Sequence, residues 1–86
     1  PHGGAFLLMG IVVYLLFSES TAKYYTGRTQ NIDNRLIEHN SGETSSIRAG
    51  IPWKLVWSQS CATRSEAMKL ENRIKKRGAK RFLEDV

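Results

Sequence analysis

The stretch from Ile11 to Phe17 is apolar at odd and even positions alike and dense in β-branched and aromatic residues, the pattern of a strand covered on both faces. Ser18 to Ala22 break that run with polar residues. Lys23-Tyr24-Tyr25-Thr26 then reads as a return strand ending at Gly27, so the two strands are expected to pair as an antiparallel hairpin. Ile32, Leu36, Ile37 and His39 form the line of a helix capped by Asn31 or Gln30, with Asp33 well placed in its first turn and Ser41-Gly42 at its end. Glu43 to Pro52 has no period and is expected to be a surface loop carrying Arg48. Trp53, Leu55 and Trp57 alternate with Lys54, Val56 and Ser58, which predicts a third strand. Thr63 is followed three residues later by Glu66, the spacing of a capping box, and Ala67, Leu70 and Ile74 mark the inward line of the helix it opens. Gly78 interrupts that helix, and Ala79 to Leu83 are expected to form a last short one with Phe82 and Leu83 folded back on the core. This order predicts an α+β fold, a small three-stranded, mostly antiparallel sheet flanked by helices.

A chain of 86 residues has room for one core, and residues 5–86 read as a single domain. Pro1-His2-Gly3-Gly4, without an initiator Met, resemble a cloning remnant or a truncated start. The apolar run Ala5–Phe17 is shorter than the roughly 18 residues of a spanning helix, and no basic residue or clean cleavage site makes it a secretory signal. No membrane role is therefore expected, and the cytoplasm is the default location. One cysteine excludes an intrachain disulfide framework and a cysteine-clustered zinc site; Cys61 is expected to pack as a small hydrophobe.

Thirteen Lys/Arg against eight Asp/Glu give a formal charge of +5, and the 41% apolar fraction is too high for a disordered basic tail. The excess is local. Arg64, Lys69, Arg73, Lys75, Lys76, Arg77, Lys80 and Arg81 are opposed in that region only by Glu66 and Glu71. Such a patch attracts a polyanion, nucleic acid being the commonest, or simply forms a solvated helix face.

Helical projection places Glu71 beside the buried line of its helix. A carboxylate there needs a partner: an ion pair with Arg73, Lys75 or another element, or a divalent cation with oxygen ligands and retained waters. Arg35 sits comparably on the first helix, suited to a salt bridge or to a bidentate grip on phosphate. Tyr14 and Tyr25, on the paired strands, are packing residues or, with a depressed phenol pKa near cations, a base and a water-positioner. His39 is a proton acceptor or a packed core-edge histidine. With two histidines in the chain, one of them in the leading remnant, no Ser/His/Asp or Cys/His arrangement is visible.

Taken in order, these residues resemble the GIY-YIG nuclease domain, particularly its small stand-alone bacterial members. The first signature matches at Val12-Val13-Tyr14 and the second at Tyr25-Thr26-Gly27. The likeness continues through Asn31, Arg35, Glu38-His39-Asn40-Ser41-Gly42, Pro52-Trp53-Lys54-Leu55-Val56, Glu66 to Asn72 and Ile74 to Glu84. Val12 stands where the first signature has its namesake glycine, and Thr26 replaces the isoleucine of the second. The resemblance implies metal-dependent hydrolysis of DNA phosphodiester bonds, with Glu71 holding one Mg2+ or Mn2+. It also implies Tyr14 as proton acceptor, Tyr25 and His39 as orienting groups and Arg35 as stabiliser of the pentacovalent phosphate. Arg28 and Arg48 would border the substrate, and Lys75, Lys76, Arg77, Lys80 and Arg81 would hold nucleic-acid backbone. Gly27 would permit close approach of phosphate, or serve a tight turn, and Thr44, Ser45 and Ser46 would lie along the groove.

Two other readings compete. A nucleic-acid-binding module of the same fold would retain DNA in a salt-sensitive way without a metal-dependent product. A protein-interaction domain would use Trp53, Trp57 and the apolar first strand as a homodimer surface.

Overall fold

A computed structural model describes residues 10–86; the leading remnant and the start of the apolar run lie outside the described residues. The chain runs β1 (Ile11–Ser18), β2 (Lys23–Thr29), α1 (Ile32–Asn40), a 3-10 segment (Ser45–Gly50), β3 (Trp53–Cys61), α2 (Arg64–Arg77) and α3 (Ala79–Asp85). The sheet has the order β2-β1-β3 with both pairings antiparallel. The α+β fold expected from the pattern is thus the fold observed.

The central position of β1 explains its apolar residues at both parities. Val13 and Leu15 pack on one side with Cys61, Ala67, Leu70, Ile74 and Phe82, under α2 and α3. Tyr14 and Leu16 pack on the other with Trp53, Tyr25, Ile32, Leu36, Ile47 and Ile51, under α1 and the 3-10 segment. Alternate residues of a strand point to opposite faces, so one eight-residue element supplies both cores.

Capping follows the residues read for it. Asn31 is the cap of α1, its Oδ1 accepting from the Asn34 amide at 3.0 Å. The Thr63 hydroxyl accepts from the Glu66 amide at 3.1 Å, while Glu66 Oε1 accepts from the Ala62 amide rather than from that of the cap itself. Gly78, at φ +94°, turns the chain from α2 into α3, a conformation that glycine adopts without steric cost. The turn returns Phe82 to the core, edge-on to Trp57 with ring centroids 4.9 Å apart; burying such a ring is worth about 1.5–3 kcal/mol.

Three expectations change. β2 continues beyond Gly27 to Thr29, because Gly27 pairs directly with Tyr14 and keeps the ladder intact. The aperiodic loop contains the 3-10 segment, whose Ile47 carbonyl accepts from the Trp53 indole N–H at 2.9 Å; two short turns joined by a kink at Ile47 show no period. The residues expected to form a homodimer surface are used internally. Trp53 is buried, Trp57 packs on Phe82, and β1 is paired along both edges. Cys61 is buried as expected. Among the described residues no helix is long and apolar enough to cross a membrane.

Candidate active site

Tyr14 faces the α1 side of the sheet, opposite Gly27 in register. Its ring lies across that glycine so closely that a Cβ there would stand 2.6 Å from the phenol oxygen. Gly27 is therefore neither the end of β2 nor an opening for phosphate. It is the slot that lets a buried phenol cross the neighbouring strand. The Tyr14 hydroxyl lies 2.9 Å from His39 Nε2, and His39 Nδ1 lies 3.0 Å from the Thr44 hydroxyl. Tyr25 completes the group, its ring edge-on to His39 at 5.1 Å and tilted against Tyr14 at 6.3 Å.

Burial pushes the Tyr14 phenol above its ordinary pKa, reinforced by Tyr25 and Glu71 and opposed by Arg35. Of the two uses read from the sequence, a packed tyrosine or a depressed phenol beside a cation, the free protein shows the packed one with its pKa raised. Burial also pushes His39 below its ordinary 6.5, aided by the Arg35 charge and opposed by Glu38. A neutral imidazole has one donor and one acceptor nitrogen. Two tautomers fit: with Nδ1–H donating to Thr44, Nε2 accepts the Tyr14 O–H, and in the other tautomer both bonds run the opposite way. The sequence offered no sign of Thr44 in this role, because its place beyond the end of α1 is set by the loop. Arg35 also pairs with Glu38 across one helical turn at 3.0 Å, and these two together push the guanidinium above its ordinary pKa, Tyr14 first.

The rest of the Glu38-His39-Asn40-Ser41-Gly42 segment is structural. The Asn40 amide holds the Trp53 backbone at both ends, with Nδ2 donating to its carbonyl at 3.0 Å and Oδ1 accepting from its N–H at 2.6 Å. The Ser41 hydroxyl donates to the Glu38 carbonyl at 2.8 Å.

Glu71 stands on α2 among Ala67, Leu70 and Ile74 and is itself only 7% exposed. Its Oε1 is paired with Arg28 of β2, and its Oε2 lies 3.0 Å from Lys75 Nζ. Burial alone would raise its pKa, but Lys75 and then Arg28 more than offset that and hold the carboxyl below its ordinary 4.5. Glu71 is therefore ionised at neutral pH. Its partners are Lys75 and a residue of another element, not Arg73. Glu71 and its partner Arg28 belong to the α2 side of the sheet and Tyr14 to the α1 side, and the Glu71 charge is the least of the influences on the phenol. Among the described residues no three His, Cys, Asp or Glu side chains cluster, so any hard cation here would rely on Glu71, waters and an added oxygen ligand. That donor set suits Mg2+ or Mn2+, which keep several waters and share phosphate oxygens.

The basic candidates divide. Arg48 braces its own loop, its Nε and Nη2 both donating to the Gly42 carbonyl at 3.1 and 3.0 Å. Arg77 is tied to Asp85 at 2.9 Å, joining α2 to α3. Arg28 and Lys75 are engaged with Glu71. Lys76, Lys80 and Arg81 are exposed and make no ion pair among the described residues. A groove between β2 and the α2–α3 junction is lined by Tyr24, Thr26, Lys75, Gly78, Lys80 and Arg81.

A family model described as the GIY-YIG catalytic domain matches residues 10–83. A UPF0213 protein of Halobacterium salinarum is 40% identical over 57 residues, covering 65% of this chain and 74% of its own length. A UPF0213 protein of Photorhabdus laumondii is 40% identical over 65 residues, covering 74% of this chain and 62% of its own. The solution NMR structure of a UPF0213 protein from Bacillus halodurans superimposes with a TM-score of 0.55 at 28% identity, over 88% of this chain and 81% of that one. For several of these relatives the chain spans less than two thirds of their length, 56% in one from Streptococcus pneumoniae. The relatives are small bacterial and archaeal proteins, wider than the bacterial group expected from the sequence. The chain belongs to the GIY-YIG family, whose domain is of the endonuclease kind.

Proposed function

We propose that the protein is a divalent-metal-dependent endonuclease that hydrolyses DNA phosphodiester bonds, acting in the cytoplasm on branched, nicked or flapped DNA in repair or recombination. The observation that carries this reading is the hydrogen-bonded line from Tyr14 through His39 to Thr44, with the Arg35 charge acting on the phenol and an ionised Glu71 on α2.

The raised pKa of Tyr14 means that its oxygen carries a proton in the resting protein. It accepts the proton of an attacking water only as it passes its own to His39 Nε2, and the neutral imidazole is ready to take it. In the tautomer that this transfer uses, His39 Nδ1–H is held by Thr44, which keeps the ring oriented. The new bond joins the water oxygen to phosphorus, the bond to the 3′-oxygen breaks, and that oxygen takes up a proton from solvent to leave 5′-phosphate and 3′-hydroxyl ends, while His39 returns its proton to solvent. Arg35 stabilises the negative charge of the pentacovalent phosphate. Glu71 would hold Mg2+ or Mn2+, whose chemistry when bound is Lewis-acid charge at the phosphate and the leaving oxygen.

The test is incubation with a panel of branched and linear DNAs in Mg2+, Mn2+ or EDTA. Cleavage is expected with metal and none in EDTA. Glu71→Ala should abolish it, and Tyr14→Phe, which keeps the ring but removes the relay oxygen, should slow it by about 10²–10⁴-fold. A folded Glu71→Ala protein as active as wild type would overturn the reading. The engagement of both Glu71 oxygens by cations favours one alternative, a nucleic-acid-binding module of the same fold that does not cleave. It predicts salt-sensitive retention of DNA with no metal-dependent product.

A further inference from the structure

Arg28 and Lys75 are the only cations bonded to Glu71 among the described residues, and they occupy different oxygens of its carboxylate. The carboxylate is nearly closed off from water, whereas both cationic side chains are far more open, 40% exposed for Arg28 and 56% for Lys75. One negative charge held by two positive ones leaves the trio at +1. A divalent cation approaching the free protein meets like charge and finds no free carboxylate oxygen.

The same two cations stand where a polyanion would lie. Tyr24, Thr26 and Arg28 share one face of β2 by its two-residue period, the face turned toward α2 through the pairings Phe17↔Tyr24, Leu15↔Thr26 and Val13↔Arg28. Tyr24, Thr26 and Lys75 line the groove that continues to Lys80 and Arg81. A strand of nucleic acid seated in that groove brings phosphates to Lys75 and, at the end of the β2 row, to Arg28. Each phosphate oxygen competes with the Glu71 carboxylate for the same donors, and long, exposed side chains swing across at little cost.

We propose that Arg28 and Lys75 form a charge latch on Glu71, which a nucleic-acid strand seated in the groove between β2 and the α2–α3 junction opens, so that a divalent cation binds Glu71 more tightly with the strand than without it. The latch rests on the reading of Glu71 as the metal-holding residue. It accounts for a carboxylate that is sealed in the free protein, and it makes the strand and the metal mutually reinforcing, since coupling between two ligands is reciprocal.

The experiment titrates Mn2+ into 15N-labelled protein and reads the paramagnetic broadening of α2 amides around Glu71. It is run alone and with a saturating, cleavage-resistant phosphorothioate oligonucleotide. Reading the protein's own resonances separates this site from manganese held by the DNA. The broadening midpoint is expected at a Mn2+ concentration at least tenfold lower with the oligonucleotide. In the free protein, the double variant Arg28→Gln/Lys75→Gln should lower the midpoint to a similar extent. The charge-matched Lys54→Gln/Lys69→Gln, which alters cations bonded to no carboxylate of the site, should move it less than threefold. If the double variant fails to fold, Lys75→Gln alone, at an exposed position, should still lower the midpoint. Equal midpoints with and without oligonucleotide, or an equal response to the charge-matched pair, overturn the latch. Broadening that persists in Glu71→Gln overturns the latch together with the metal assignment. Broadening that depends on Glu71 and tightens with the oligonucleotide upholds the latch even if the DNA panel yields no product, an outcome in which only the hydrolase reading fails.

Discussion

The two faces of one three-stranded sheet each carry an apolar core and differ in the polar groups they bury, Glu71 on the α2 side and Tyr14 with His39 on the α1 side. Beneath α2 and α3, Val13, Leu15, Ala67, Leu70, Ile74 and Phe82 form an apolar interior. Beneath α1, the buried space holds Tyr14 and His39, both 1% exposed or less, hydrogen-bonded to each other and onward to Thr44. A buried polar group costs free energy unless every donor and acceptor is satisfied, so a polar interior is a poor place to store stability and a good place to hold a fixed geometry. The aliphatic face anchors β1 from below, and the same strand presents Tyr14 from above. The difference teaches a division of labour along one strand: Val13 and Leu15 pack a core without hydrogen bonds, while Tyr14, beside the apolar Leu16, carries the hydrogen-bonded line.

The largest way to break that comparison is Ile74→Ala. Ile74 is fully buried on the aliphatic face, and its truncation is expected to destabilise by about 2–5 kcal/mol through lost transfer energy and the cavity left behind. Urea denaturation would measure it. The Tyr14–His39–Thr44 line, on the other side, should keep its geometry, read as an unchanged His39 pKa, although Glu71 stands one turn from Ile74 on α2. A shift of the His39 pKa would show that the two faces are not independent.

Gly27→Ala comes next and attacks the other face. The added methyl would stand 2.6 Å from the Tyr14 oxygen and 2.7 Å from its ring carbon, so the phenol or β2 must move. Overpacking of this kind costs about 1–3 kcal/mol. Here stability and activity are expected to fall together, and the Tyr14→Ala background should relieve the stability loss. If Gly27→Ala is as costly in that background as in wild type, the glycine serves the strand and not the phenol.

These contrasts also show how far the residues alone could be read. Apolar residues at both parities declared β1 central before any partner was visible, since only a strand with two covered faces needs them. The Asn31 and Thr63 caps and the inward line Ala67, Leu70, Ile74 are local features, and local physics sufficed. So did Lys75 as a partner of Glu71, one helical turn away. The reach of β2 past Gly27 was hidden because Arg28 and Thr29 are polar residues of an edge strand, where pairing with β1 decides the matter. The engagement of Arg28 with Glu71, the bond from His39 to Thr44 and the upward shift of Tyr14 all depend on distances between elements. No spacing within one element encodes them.

Acidification separates the faces without mutation. His39 has its pKa lowered below 6.5 by folding, so the unfolded chain binds its proton first. The stability this residue contributes is complete above pH 6.5 and is lost as pH falls through its folded pKa. Glu71, lowered from 4.5, begins to lose its contribution only below that pH. Between pH 6.5 and 4.5, stability followed by urea denaturation should therefore decline in wild type, and His39→Gln should remove most of the His39 share of the slope. Cleavage should decline as pH falls through the folded His39 pKa, below 6.5, because a protonated His39 has no vacant nitrogen for the Tyr14 proton. An unchanged slope in His39→Gln would move the titrating group away from the α1 face.

The smallest effect sharpens the comparison at its edge. Arg35 pairs with Glu38 at the surface, with side-chain exposures of 41% and 32%, and its guanidinium also acts on the buried phenol. An ion pair this open to water contributes about 0.3–0.5 kcal/mol in a helix, so Glu38→Gln should shift the urea midpoint barely above error. The same variant removes the negative charge that favours protonated His39, so the acid limb of the cleavage profile should move to slightly lower pH. Arg35→Gln removes the surface pair to the same degree and also the cation at Tyr14, whose phenol pKa it otherwise lowers. Its stability loss should be similarly small, while its cleavage rate falls steeply. Equal cleavage rates for Glu38→Gln and Arg35→Gln would mean that Arg35 matters only as a surface charge. A fall confined to Arg35→Gln would place its work at the phenol and the phosphate, on the polar side of the sheet.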